Sequence, residues 1–431
     1  MKKGLVVLTL LFITATLFAQ EDPVLIPYRK GNHWGYCTKN KKLVIDCVYN
    51  YATIFQNGYA IVRLNNSWNI IDKKGRYILP LEKEYSKIGK SGGAGTYLVE
   101  SSQKFGLVDT SGKEIFPCLY DKPFEFYFGN IILYKGGKKG IADTSGKMIM
   151  PCLYDVIWPS FSGHPPYVAK FDNKWIFIDH NYKTVTTPFE SINPFCDGVA
   201  AARMNGKWGL IDTVGNLIAP FEYDAILPTS TPNYLTYRKD DKWGCMDKKG
   251  KIIFPAKFCG NLTFDSSGIA ITKSIDGYYL IDTSGNTIKK LDCENAKTYV
   301  CPKGLIEMCK NKKWGVSDVS GKEIIPYSYQ ELTVYHNQNL VVAKRRDLYG
   351  ALNKKGEVIV PFKYDQIDYV SENTIRVKKM GLYGLLVNGK KQLDCEYKRM
   401  NVYPEYSIAE VILNNYQQCY IGFDGTKYWE D

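Results

Sequence analysis

Three stretches carry a pattern that could do chemistry: Asp109-Thr110-Ser111-Gly112, Asp143-Thr144-Ser145-Gly146 and Asp282-Thr283-Ser284-Gly285. Asp followed by Thr, Ser and Gly is a local arrangement suited to peptide hydrolysis. That chemistry needs two carboxylates about 3 Å apart sharing one proton. Related stretches read Asp72-Lys73-Lys74-Gly75 and Asp247-Lys248-Lys249-Gly250, and lysines there do not suit a shared-proton pair. The pattern reads instead as a turn: the Asp side chain bonds its own backbone and Gly takes a left-handed conformation. One carboxylate per turn also falls short of the several oxygen ligands that calcium gathers within a few residues. The histidines are His33, His164, His180 and His336. None is paired at ligand spacing, and no Cys-x-x-Cys occurs. No nucleophile elbow, phosphate-binding loop or dinucleotide glycine pattern is present. The expectation is a non-enzymatic protein with no catalytic residues, cofactor or metal.

Aromatic side chains are abundant, with 33 Tyr, 19 Phe and 8 Trp. Those in recurring slots read as core packing. Phe124, Phe126 and Tyr127 with their neighbour Phe128, and Trp158, Phe161 and Tyr167, lie in segments that do not recur. They are the candidate ligand-binding aromatics, able to stack on a glycan or grip a protein partner.

The elements that must position these residues are repeats. Aromatic-Gly pairs, or their worn equivalents, start at Trp34, Trp68, Phe105, Lys139, Trp175, Trp208, Trp243, Tyr278, Trp314, Tyr349, Tyr383 and Cys419, a period near 35 residues. In Trp208-Gly209-Leu210-Ile211-Asp212, alternation puts Trp208 and Leu210 on one face of a strand and Gly209 and Ile211 on the other. Asp212 and Gly215 make the turn, and a second strand leads to Pro220, whose missing N–H marks a strand end or an edge. A variable segment and a third strand follow. No stretch has helical periodicity. The worn first and last units read as caps.

The recurring Lys-Trp-Gly-Leu-Ile-Asp-x-x-Gly … Ile-x-Pro-x-x-Tyr-Asp pattern is fullest at Lys207 to Asp224, Lys242 to Pro255, Lys313 to Pro326 and, with Tyr for Trp, Leu348 to Asp365. It resembles the WG-repeat (KWG-repeat) family of bacterial exported β-repeat proteins over residues 30 to 425. The resemblance implies an all-β array that is exported and mediates binding, with no shared catalytic residues. The departures at Phe105, Lys139 and Tyr278-Tyr279 imply an interrupted aromatic stack.

Twelve units of this length fit poorly into a propeller, which usually has 4–8 blades of four strands. The expected fold is therefore all-β, with tandem hairpin repeats forming an open superhelical array. The alternative is a closed propeller-like ring, and clustered carboxylates lining its channel would point to a hydrolase. Residues 1–19 read as a signal peptide, with Lys2 and Lys3, an apolar run from Leu5 to Phe18 and Ala19 before the cut. Residues 20–431 then form a single array, periplasmic or secreted, monomeric, with no membrane span.

The net charge of +12 is spread as Lys along the chain. It favours polyanions or an anionic envelope surface, set against a plain solvated β surface with protected edges. Among the 12 cysteines, Cys47, Cys118, Cys152 and Cys395 share one slot with Phe221, Ala256 and Phe362, which reads as small buried filler. Cys118 with Cys152, in adjacent repeats, is the candidate disulfide, and Cys37 with Cys47 the second choice. The functional expectation is an exported binding or scaffold protein using an extended β surface for protein–protein interaction. The alternative is a glycan or peptidoglycan-associated module. Its partner is an unidentified protein or envelope glycan, not nucleic acid.

Overall fold

The turn chemistry read from the sequence is present at atomic detail. The strand Lys207–Asp212 pairs antiparallel with Val199–Met204 on one side and Leu217–Tyr223 on the other. Asp212 Oδ1 accepts the N–H of Val214 at 2.9 Å and of Asn216 at 2.8 Å, and Gly215 has φ 91°. Pro220 does not end its strand. It sits in the edge strand Leu217–Tyr223, where the register against Lys207–Asp212 shifts. A bulged edge tolerates a residue without an N–H.

The computed structural model describes residues 24–430 apart from 160–163, 180–182, 187–188, 230, 232, 266, 298–303 and 336–337. The expected signal peptide and Phe161 lie outside the described residues. Among those described are twelve sheets, nine of four strands and three of three, and the one helical element is a 3-10 turn, Pro404–Tyr406. Each sheet contains one aromatic-Gly slot, so twelve repeats build twelve blades, numbered here in chain order. A full blade runs lead strand, second strand, aromatic strand, outer strand, as in Ala225–Pro228, Tyr234–Lys239, Lys242–Asp247 and Ile252–Phe258. The stretch from one aromatic-Gly pair to the next therefore straddles two blades. The core follows the same rule: Leu210, Ala219 and Tyr223 of blade 6 pack with Ile226, Leu235 and Tyr237 of blade 7.

The array closes, which corrects the expected open superhelix. Among the described residues, blade 1 starts at Ile26–Lys30 with no earlier strand to lead it. The C-terminal strand Trp429–Glu430 takes that place, pairing parallel with Arg29 and Lys30. Tyr428 N–H, one residue earlier, donates to Tyr420 O of blade 12 at 3.0 Å. Tyr28 donates its hydroxyl to Glu430 Oε1 at 2.5 Å. Ile26 and Trp34 share one core cluster with Ile408, Tyr420 and Tyr428. The worn end units are thus not separate caps but halves of one seam. Two reasons make this ring possible: short strands and tight turns fit four strands into about one repeat, and radial repetition leaves only short sheet edges.

The glycine of each aromatic-Gly pair is required by close packing. A Cβ on Gly209 would lie 2.8 Å from Ala219 O and 2.8 Å from the Phe221 ring. At Gly106, Gly140 and Gly384 the neighbour is the sulfur of Cys118, Cys152 or Cys395, at 2.9, 2.8 and 2.8 Å. Each sulfur is the filler over its own blade's glycine. Cys118 and Cys152 are free thiols, as are Cys37 and Cys47, so neither candidate bridge is formed. In blade 2, Asn69 replaces the glycine, and its side-chain amide bonds Leu79 N and O, both at 3.1 Å. That amide adds to a shortened ladder, in which Ile78 N–H donates to Ile70 O at 2.8 Å.

The departure at Lys139 does not interrupt the aromatic pattern. Arg63 pairs across strands with Trp68 and lies over its ring at 5.5 Å; Lys344 does the same with Tyr349 at 5.5 Å. In blade 4 the pair is inverted: Tyr134 stands opposite Lys139, whose ammonium lies 5.3 Å from the Tyr134 ring.

Candidate functional site

The motif residues are taken up by structure. The Lys before the aromatic and the Asp after the Tyr, 17 positions apart, form ion pairs: Lys104–Asp121 at 2.7 Å, Lys138–Asp155 at 2.5 Å and Lys207–Asp224 at 2.6 Å. Asp121 also accepts the N–H of Gly137, in the hairpin of the next blade, at 3.1 Å. Glu190 and Asp365 bond Gly206 and Gly381 in the same way, at 3.2 and 3.3 Å. The acidic residue thus clasps one blade to the next. The Lys104 ammonium, with the Gly137 amide, holds the Asp121 carboxyl below the usual range. Sequence reasoning missed this role; the signal that could have found it is the constant Lys-to-Asp spacing.

The Asp-Thr-Ser-Gly turns are equally occupied. Asp143 Oδ1 accepts Ser145 N–H at 2.9 Å, Ser145 Oγ–H at 2.6 Å and Lys147 N–H at 3.0 Å. The Ser145 hydroxyl bond leads the causes that hold its carboxyl low. Each such carboxylate serves its own turn. Among the described residues no group of three His, Cys, Asp or Glu side chains could hold a metal ion.

The candidate aromatics separate. Phe124 is buried, packed on Phe116 and Tyr120 with ring centroids 5.4 and 5.3 Å away. Phe126 is half-buried over Gly92 and Gly93, where added Cβ atoms would come within 2.8 and 2.5 Å of its ring. Trp158 lies against Trp175 at 4.9 Å. Tyr167 is buried, and its hydroxyl donates to Asn130 Oδ1 at 3.3 Å. Tyr127 remains exposed at 45 %, beside Phe128 at 59 %. Phe128 has φ 46°, at a turn position where blades 2 and 6 place Asn57 and Asp197 at 51° and 48°. Such a conformation costs an L-residue about 1–2 kcal/mol, less for Asn and Asp, which bond locally.

Beside this turn lies a cavity of about 530 Å³ between blades 4 and 5, lined by Phe128, Asp143, Met148, Ile149, His164 and Tyr167 among others. It offers one exposed ring, an apolar floor and a few polar edges, the usual composition of a small-molecule or side-chain pocket. With Asp143 committed to its turn, the arrangement can hold a group.

The family described as WG containing repeat matches residues 34–68, 105–138, 140–175, 177–208, 208–243, 243–279, 314–349 and 349–383. None of the curated proteins matches the chain. Among solved structures, it is similar to a eukaryotic initiation factor at 12% identity, covering 77% of this chain and 94% of that one, TM-score 0.38. It is also similar to the extracellular domain of a putative one-component system from B. thetaiotaomicron, at 9% identity, covering 90% and 79%, TM-score 0.25. Those scores carry no argument about fold or activity. The repeat matches span well over half of the sequence, each crossing from one blade to the next, and the chain therefore belongs to the WG-repeat family.

Proposed function

We propose that this is a non-enzymatic, exported binding or scaffold protein that uses the surface of its ring for protein–protein interaction. One observation carries the reading. The recurring Lys, aromatic, Gly, Asp, Pro and Tyr-Asp positions serve turns, blade cores and blade junctions, so specificity falls to the turns that differ between blades. The Tyr127–Phe128 turn is the foremost of these, because it exposes two aromatic rings beside a cavity. Pull-down from an envelope fraction with the wild type and Phe128→Asn tests it. A partner captured by the wild type and lost in the variant is expected. No partner at any salt concentration would overturn the binding reading, and full retention by the variant would overturn this turn as its site.

A glycan or peptidoglycan-associated module is the second reading. It is favoured by the exposed Phe128 ring sharing one cavity with polar Asp143 and His164. Polysaccharide co-sedimentation separates the two, again with Phe128→Asn. Trp158 is the poorer test, since Trp175 covers it.

A further inference from the structure

The three most exposed large apolar side chains among the described residues are Ile275 at 95 %, Met380 at 87 % and Tyr416 at 77 %. All three occupy one structural slot, the hairpin tip between the second strand and the aromatic strand. Those hairpins are Ala270–Ser274 with Gly277–Ile281 in blade 8, Thr374–Lys379 with Leu382–Val387 in blade 11, and Ile408–Ile412 with Gln418–Gly422 in blade 12. In a ring of equivalent blades these tips share one rim, opposite the rim that carries the Phe128 turn. Other blades fill the slot with small or polar residues that suit a left-handed backbone, among them Asn65, Gly136, Asp172, Asn205 and Asp240. Met380 has φ 50° and Tyr416 φ 66°. Each combines an unfavourable backbone conformation with an apolar surface in water. Paired local costs of this kind mark positions kept for something other than stability.

Charge on the same rim points to the occupant. Exposed Lys312, Lys313, Arg345, Arg346, Lys379 and Arg399 lie on the tips and crossovers of blades 9 to 12. Lys398 covers the Tyr416 ring, its ammonium 3.5 Å from the centroid. Acids share this rim: Asp276 pairs with Lys290 at 2.7 Å and Asp292 with Lys310 at 3.0 Å, while Glu294, Asp347 and Asp365 bond neutral groups and are outnumbered by those exposed cations. A folded protein partner would need a separate pocket for each isolated tip. A lipid headgroup layer accepts discrete apolar side chains without one, and anionic lipids attract the cations between them. Tyr, with its apolar ring and polar hydroxyl, suits that boundary.

We propose that the hairpin rim of blades 8 to 12 docks on an anionic lipid surface, with Ile275, Met380 and Tyr416 entering the headgroup layer. This surface is independent of the Phe128 turn, which docking would leave facing away from the lipid. Vesicle flotation of the full chain tests it, using phosphatidylcholine with and without phosphatidylglycerol. The wild type should float with the anionic vesicles only, less so as salt rises. The variant Ile275→Ser, Met380→Asn, Tyr416→Asn should bind about tenfold more weakly or worse, with no loss of thermal stability because Asn fits a left-handed tip. Val214→Ser, which removes an apolar side chain 64 % exposed on the opposite rim, should bind as the wild type does. Failure of the wild type to bind anionic vesicles at low salt, equal binding to neutral ones, undiminished binding by the triple variant, or an equal loss in Val214→Ser would each overturn the proposal.

Discussion

At the residue scale, the Asp of each turn is the side chain whose role is most nearly dictated by its neighbours. Its bonds reach two and four residues ahead, so the sequence already contains both partners. The Ser145 hydroxyl holds Asp143 low, the Ser320 hydroxyl does so for Asp318, and the Lys104 ammonium for Asp121. A carboxyl with a depressed folded-state pKa contributes stability that is complete above its unfolded value, about pH 4 for Asp. That contribution is lost as pH falls through the folded value. The melting temperature should therefore hold steady from neutral pH down to about pH 5 and fall increasingly below about pH 4. Asp143→Asn keeps an acceptor oxygen but no titrating charge, so its acid limb should be shallower than that of the wild type. Circular-dichroism melts across pH check this, and identical limbs would remove the turn carboxylate from the linkage. The clasp between Lys104 and Asp121 was less legible, because its partners meet only across a folded sheet. Phe124 and Phe128 show the same limit: four residues apart in one variable segment, one is core and the other is surface.

At the element scale, the strands follow from alternation, turn residues and the edge-tolerant Pro. What alternation does not reveal is which departures from the repeat are compensated. Lys139 looked like a lost aromatic, yet Tyr134 across the strand restores the same contact with the order reversed. Asn69 stands where most blades have glycine, and its amide bonds both backbone groups of Leu79. The first case predicts a measurable coupling. Tyr134→Lys with Lys139→Tyr should fold close to wild-type stability, while each single change loses the pair. The coupling in a double-mutant cycle should be about 0.5–1 kcal/mol, the range for exposed cation–aromatic contacts. Urea melts of the four proteins would measure it, and strict additivity would show that the inverted pair is incidental.

At the scale of the whole molecule, one short segment determines the topology. Lys427 to Glu430 bonds blade 12, then blade 1, and Tyr428 is buried at their shared core at 3 % exposure. Removing residues 427 to 431 should open the ring. The melting temperature should fall, and small-angle scattering should show a larger radius of gyration. Tyr428→Ala alone should cost about 3 kcal/mol, within the range for emptying a large aromatic site. A truncated chain with unchanged dimensions and melting would mean that the blades hold their curvature without the seam. Closure also gives the ring two rims of different character: variable lead turns with the Phe128 cavity on one, and hairpin tips with a cationic, apolar sector on the other.

The sequence by itself determined three of the four strands of a full blade, the turns, the repeat count and the family, because each depends on contacts within a few tens of residues, repeated twelve times. Only the tertiary structure decided between an open array and a ring. That choice depends on a small rotation between blades, accumulated over the whole chain, and on whether the last residues fit the first. No single repeat encodes either quantity. The structure likewise decided which loop aromatics reach solvent, since exposure depends on what the neighbouring blade places over them.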